Sequence, residues 1–252
     1  MAILTGVAGI TTAAWIYIVL EAHRMADMST GMTDRSMSAS MHAMVGVHPW
    51  TATEFGLRLL MWAVMMIAMM VPTAAPMTLI YGAIARKAAF QSNPVAPTFV
   101  FVAGYIVIWT LFSVAATAAQ WELDRAALLS PMMVSNSTLL GSALLIGAGV
   151  YELTPLKHSC LKHCRAPAQF LSQNWHSGKI GAFRMGLQLG AYCLGCCWVL
   201  MGLLFVGGVM NLLWIAAISA FVLLEKILPV GHAAGRFAGA AMILVGAVSL
   251  AL

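Results

Sequence analysis

Long apolar runs separated by short polar stretches dominate this chain. The first run covers residues 3–20; no Lys or Arg precedes it and no small-residue cleavage site follows, so it reads as a helix rather than a signal peptide. The pattern predicts a second helix over 53–71, ended or kinked by Pro72. Further helices are expected at 98–119, 137–151, 185–206 and 209–224, with a last one from about 232 or 237 to 252. Only Gly207 and Gly208 separate the fifth from the sixth, which implies an antiparallel hairpin. Gly141, Gly147 and Gly149 suit close packing of the fourth. The expected fold class is all-α: one polytopic transmembrane helical bundle over residues 1–252, with about seven spans and no internal repeat.

Composition agrees with that pattern. Hydrophobic residues make up 62% of the chain and charged residues 8%, against roughly 25% charged in a soluble domain. The net charge of +5 is not a nucleic-acid signal, because the charge is sided. Arg86, Lys87, Lys157, Lys162, Arg165, Lys179, Arg184, Lys226 and Arg236 fall on one set of loops. Arg24, Arg35 and Arg125 fall on the other, together with Glu21, Asp27, Asp34, Glu54, Glu122 and Asp124. Basic loops stay on the cytoplasmic side. The N-terminus is therefore expected in the cytoplasm, the protein multi-pass in the cell membrane, and the 21–54 loop outside. The bilayer is its first partner, with a soluble or membrane subunit or a second copy as further candidates, and no nucleic acid.

Two loops carry candidate chemistry. The exterior loop, 21–54, holds Met25, Met28, Met32, Met37, Met41 and Met44 together with His23, His42 and His48. Thioether and imidazole ligands suit copper, especially Cu(I), ahead of zinc or iron. Candidate ligands are His42 and His48 first, then His23, Met41, Met44 and Glu54. The structural alternative is an amphipathic segment lying on the bundle or in the interface. Thr51 and Glu54 form a capping box at the start of the second helix. Met61, Met65 and Met69 share one face of that helix and read as soft core packing.

The second loop, 154–184, is cytoplasmic in this reading, basic and rich in Cys and His. Thr154 as N-cap and Pro155 at the first helical position start a short helix that Pro167 ends. On it Cys160 and Cys164 share a face, with His158 and His163 close by. One helix cannot supply four tetrahedral ligands, so other elements must contribute. The alternative is a basic interfacial helix whose thiols are inert in a reducing cytoplasm. Cys193, Cys196 and Cys197 read as buried small hydrophobes, although their spacing is unusual. Glu225 and Lys226 read as a mutual pair, and Glu152 as a partner for Lys157 or a metal.

One combination of motifs is distinctive. Trp62-x-x-Met65-Met66-x-Ala68-Met69-Met70-x-Pro72 is followed by Tyr151-x-Leu153-x-Pro155-x-Lys157-x-x-Cys160-Leu161-x-x-Cys164-Arg165-x-Pro167. Gly186, Gly190, Cys193-x-Gly195-Cys196-Cys197-Trp198 and Glu225-Lys226 complete it. Across about residues 55–240 the chain resembles a bacterial family of predicted metal-binding integral membrane proteins. The resemblance implies a helical membrane fold and a metal, and carries over no catalytic residues. The 21–54 loop lies outside its motifs, so copper there rests on chemistry alone.

The functional expectation is an integral membrane metal-binding protein that holds or passes copper. Two alternatives stay open: the membrane subunit of a copper-dependent oxidoreductase or monooxygenase acting on an apolar substrate, and a structural or assembly subunit. No phosphate-binding Gly-rich loop and no Ser/His/Asp set stands out, which argues against nucleotide and hydrolytic enzymes. Copper content of the purified protein locates the site. Loss on His42→Ala/His48→Ala is expected for the exterior loop, and loss on Cys160→Ser/Cys164→Ser for the cytoplasmic helix.

Overall fold

A computed structural model describes residues 2–34, 50–88, 95–129, 133–228 and 231–251. Over these the chain is helical, and the pairing of Leu129 with Ser135 is an isolated bridge. The helices are α1 (Ala2–Asp34), α2 (Ala52–Ala88), α3 (Val95–Arg125), α4 (Thr138–Glu152), α5 (Pro155–Arg165), α6 (Pro167–Gln173), α7 (Gly178–Gly202), α8 (Leu204–Gly207), α9 (Leu212–Ile227) and α10 (Gly231–Ala251). Every expected apolar run is helical, although the run at 185–206 is divided between α7 and α8 at Leu203.

Five described helices are long and apolar enough to cross a membrane, and the bent pair α4 and α5, turned by 64°, makes six. The sequence pattern suggested about seven. The difference lies in α4 and α9, which have 15 and 16 residues. At about 1.5 Å per residue each is near 22–24 Å long, short of a hydrocarbon core about 30 Å thick.

Pro72 does not end the second helix: α2 runs through both Pro72 and Pro76. A proline leaves the carbonyl four residues earlier without its helical donor. Here the Trp15 indole N–H of α1 donates to that carbonyl, Ala68 O, at 3.2 Å. Two residues on, Tyr105 Oη and Thr73 Oγ1 both donate to Met70 O, at 3.1 and 2.8 Å. The distant Trp15 donor satisfies the carbonyl that Pro72 leaves open, and the helix continues.

The core is built around α2 and α7. Trp62, Met65, Met66, Met69 and Met70 of α2 are fully buried, as are Met185 and Met201 of α7, which fits the soft-packing reading of the methionines. Helix α3 lies close against α7 because both present glycine at the crossing. A Cβ on Gly186 would strike the carbonyl oxygen of Phe101, and one on Gly104 that of Phe183. Large apolar side chains such as Leu111, Leu139, Leu213, Phe237 and Leu244 point outward. Gly186→Val is therefore expected to abolish accumulation of folded protein, measured by size-exclusion chromatography in detergent; Gly147→Val, where nothing lies within 4 Å, is expected to be tolerated.

Candidate metal centre

Helix α5 begins as its sequence dictates. The Thr154 side chain accepts from Lys157 N, and Pro155 occupies the first turn, where a missing N–H costs nothing. Its inward face repeats at helical spacing: Lys157, then Cys160 and Leu161, then Cys164. This face packs on α7. Cys164 makes a side-chain hydrogen bond with Cys196. Cys160 lies over Gly195, its Sγ 2.8 Å from where a Cβ would stand. Glycine at 195 is what lets that sulfur approach.

On α7, Cys193 and Cys197 are one turn apart and Cys196 is beside them. Their sulfur atoms lie within 4.8 Å of one another, the one such group of ligand atoms among the described residues. All three are buried. Cys196 and Cys197 donate to the same acceptor, Cys193 O, at 3.1 and 2.9 Å. No disulfide forms among the five cysteines; three thiols of α7 meet, with Cys164 of α5 bonded to Cys196 and Cys160 over Gly195. That density of soft donors is suited to a soft ion, above all Cu(I).

The cluster is flanked by polar groups from three further helices. Lys226 Nζ of α9 lies 2.9 Å from Cys193 Sγ and 2.9 Å from Thr73 Oγ1 of α2. Tyr105 Oη of α3 lies 3.0 Å from Cys193 Sγ. A cavity of about 250 Å³ opens beside them, lined among others by Met77, Tyr105, Cys164, Arg165, Cys193 and Lys226.

Next to the thiols is a buried ion cluster. Lys157 Nζ pairs with Glu152 and lies 2.9 Å from both carboxylate oxygens of Glu225. The three side chains are 1–3% exposed. Glu152 Oε1 has no hydrogen-bond partner among the described residues. Gly235 of α10 leaves room here, since a Cβ on it would meet Glu225 Oε1 and approach within 3.1 Å of Glu152 Oε2. Glu152 thus takes the Lys157 partner expected for it. Glu225 and Lys226 do not pair with each other. Successive helical residues point about 100° apart, so Glu225 turns to Lys157 and Lys226 to the thiols.

The ligands suggested by sequence separate in space. Cys160 and Cys164 join the α7 thiols. His163 does not: its ring stacks on Tyr192 with centroids 4.3 Å apart, and its Nδ1 lies 2.8 Å from Ser159 O. His158 lines a separate outer pocket with Leu161, Lys162 and Arg165. Glu54 is exposed and closes the expected capping box, accepting from Thr51 N at 2.7 Å. His23 is exposed on α1. Met41, His42, Met44 and His48 lie outside the described residues. Cys193, Cys196 and Cys197 read in the sequence as buried small hydrophobes, with only their unusual spacing as a signal; Lys226 read as a partner for Glu225, and Thr73 and Tyr105 had no signal in the sequence.

A family model described as PpoB2, copper chaperone, matches residues 59–249. The metal-related character implied by the motif resemblance is thereby supported. No curated protein and no solved structure matches the chain.

Removing one partner of a buried ion cluster strands the others, at a cost of about 3–5 kcal/mol. Lys157→Met is expected to lose stability of that order in detergent thermal melts. Lys157→Met/Glu152→Gln/Glu225→Gln is expected to recover most of it. A single variant as stable as the parent would show that the cluster contributes nothing.

Proposed function

The chain belongs to the PpoB2 copper-chaperone family, and on that premise we propose that it is an integral membrane protein that receives Cu(I) and holds it on Cys193, Cys196, Cys197 and Cys164. The observation that carries this reading is the convergence of the three α7 thiols within 4.8 Å, next to Cys164 of α5. Copper is cargo here. Cu(I) favours two to four soft ligands and tolerates irregular geometry, which suits a site that must also release it. Zinc is held well by thiolates too; the family description favours copper. Cys160, one turn before Cys164, is placed to take the ion as it leaves.

The outward apolar side chains and the candidate spans support membrane insertion. Counting α9 and the bent pair as crossings gives seven, with the N-terminus cytoplasmic by the distribution of Lys and Arg. The location is then a bacterial inner membrane. The Met/His stretch at 21–54, with His23, Met41, His42, Met44 and His48, serves as a second copper-binding segment on the outer side. A chaperone hands its cargo on, so a copper-requiring protein, soluble or membrane-bound, is the implied partner. A thiol-only set offers no imidazole or carboxylate beside an open coordination position, which favours storage and transfer over oxygen chemistry.

Copper per chain after anaerobic Cu(I) loading, read by elemental mass spectrometry, tests the assignment. Cys193→Ser/Cys196→Ser/Cys197→Ser is expected to lose the tightly held ion that survives a moderate chelator. His42→Ala/His48→Ala is expected to lose only more weakly held copper. Full retention by the triple serine variant would overturn the site.

A further inference from the structure

The cavity that reaches the thiols carries the wrong charge for a bare copper ion. Its most buried lining residues are Cys193, Tyr105 and Met77, and its outermost are Pro76 and Ile227, both exposed. Between them stand Arg165 and Lys226, both half-buried. No Asp or Glu is among the described residues that line it. Glu225, the nearest acid in sequence, is turned away to Lys157. Arg165 is held in place by a hydrogen bond to Leu228 O, and a guanidinium stays charged under all ordinary conditions. A free Cu(I) or Cu(II) cation entering by this route approaches two fixed positive charges in an environment that screens them poorly. An anion is attracted by the same pair.

Resting on the copper(I) reading above, we propose that this cavity is a docking site for an anionic Cu(I)–thiolate complex of a small carboxylated thiol, which delivers the metal to Cys193 and Cys164. The carrier's carboxylates pair with Arg165 and Lys226, and its copper faces the cavity wall bearing Cys164 and Cys193. Transfer is ligand exchange at constant oxidation state. A bond from copper to the Cys193 sulfur forms as the bond to the carrier sulfur breaks. The Cys193 proton leaves with the departing carrier thiolate, and no electron is exchanged. The cations then have two uses: Arg165 attracts the carrier, and Lys226 bridges its carboxylate to the receiving thiol. A cavity of about 250 Å³ holds the metal-bearing end of such a carrier and leaves the remainder outside.

The test compares two donors on the full-length protein in zwitterionic detergent, where no anionic lipid competes. One donor is Cu(I)–glutathione, an anion. The other is the tetrakis-acetonitrile Cu(I) cation. Anaerobic stopped-flow absorbance in the copper–thiolate band gives the loading rate. Arg165→Gln is expected to slow loading from the glutathione complex by about tenfold, within the usual range of electrostatic steering, and to speed loading from the acetonitrile complex. Arg165→Lys is expected to restore most of the parent behaviour with both donors. Equal slowing with both donors, or no change with either, overturns the docking site while the copper reading stands. Wild type that loads from the cation but not from the glutathione complex has the same meaning. Wild type that takes copper from neither donor overturns the copper reading itself.

Discussion

A lysine ammonium cannot stay charged in an apolar bundle without carboxylates around it, and much of this structure is arranged to supply them to Lys157. The cost of burying an isolated charge is several kcal/mol or more. Here α4 ends at Glu152 and α9 ends two residues after Glu225, and α5 brings Lys157 between them. Gly235 of α10 leaves space for the two carboxylates. The same placement fixes the rotation of α5. With Lys157 turned inward, Cys160 and Cys164 follow one and two turns later on the same side, against α7. The ion cluster therefore orients the helix that contributes two of the five thiols, and it fixes Glu225 so that Lys226 faces Cys193.

That arrangement gives the candidate metal centre its character. Three thiols come from one helix and are close together by helical spacing alone. The other two come from α5, whose attachment depends on the cap at Thr154, the ion cluster and packing on α7. A site divided in this way changes when α5 moves, whereas a site contained in a single helix does not. Capture and release of a soft cation are served by the first kind. The soft donor set suits copper or zinc, and the family description as copper chaperone favours copper.

What the sequence revealed, and what it hid, follows from range. Apolar runs, the Thr51–Glu54 box and the Thr154–Pro155 start of α5 depend on neighbours a few residues away, and all are found as expected. The passage of α2 through Pro72 depends on a bond from Trp15 to Ala68 O, 53 residues apart, and no local pattern contains it. The apolar runs read as about seven crossings, whereas five described helices are long and apolar enough, six with the bent α4–α5 pair, because hydropathy does not show that α4 and α9 have only 15 and 16 residues. Cys193, Cys196 and Cys197 were visible as a spacing, but buried thiols usually only fill space, and the helix that completes the set is found only in three dimensions. Adjacency in sequence suggested that Glu225 and Lys226 pair; the rotation of a helix sends them apart.

X-ray absorption at the copper edge of the Cu(I)-loaded, detergent-purified protein bears most directly on the assignment of a thiol site for copper. The account predicts Cu(I) ligated by sulfur alone, with the signal changed when Cys193, Cys196 and Cys197 are replaced by serine. Nitrogen or oxygen ligation in the wild type, unaltered by that replacement, would contradict it and move the tightly bound ion to the histidine-bearing segment.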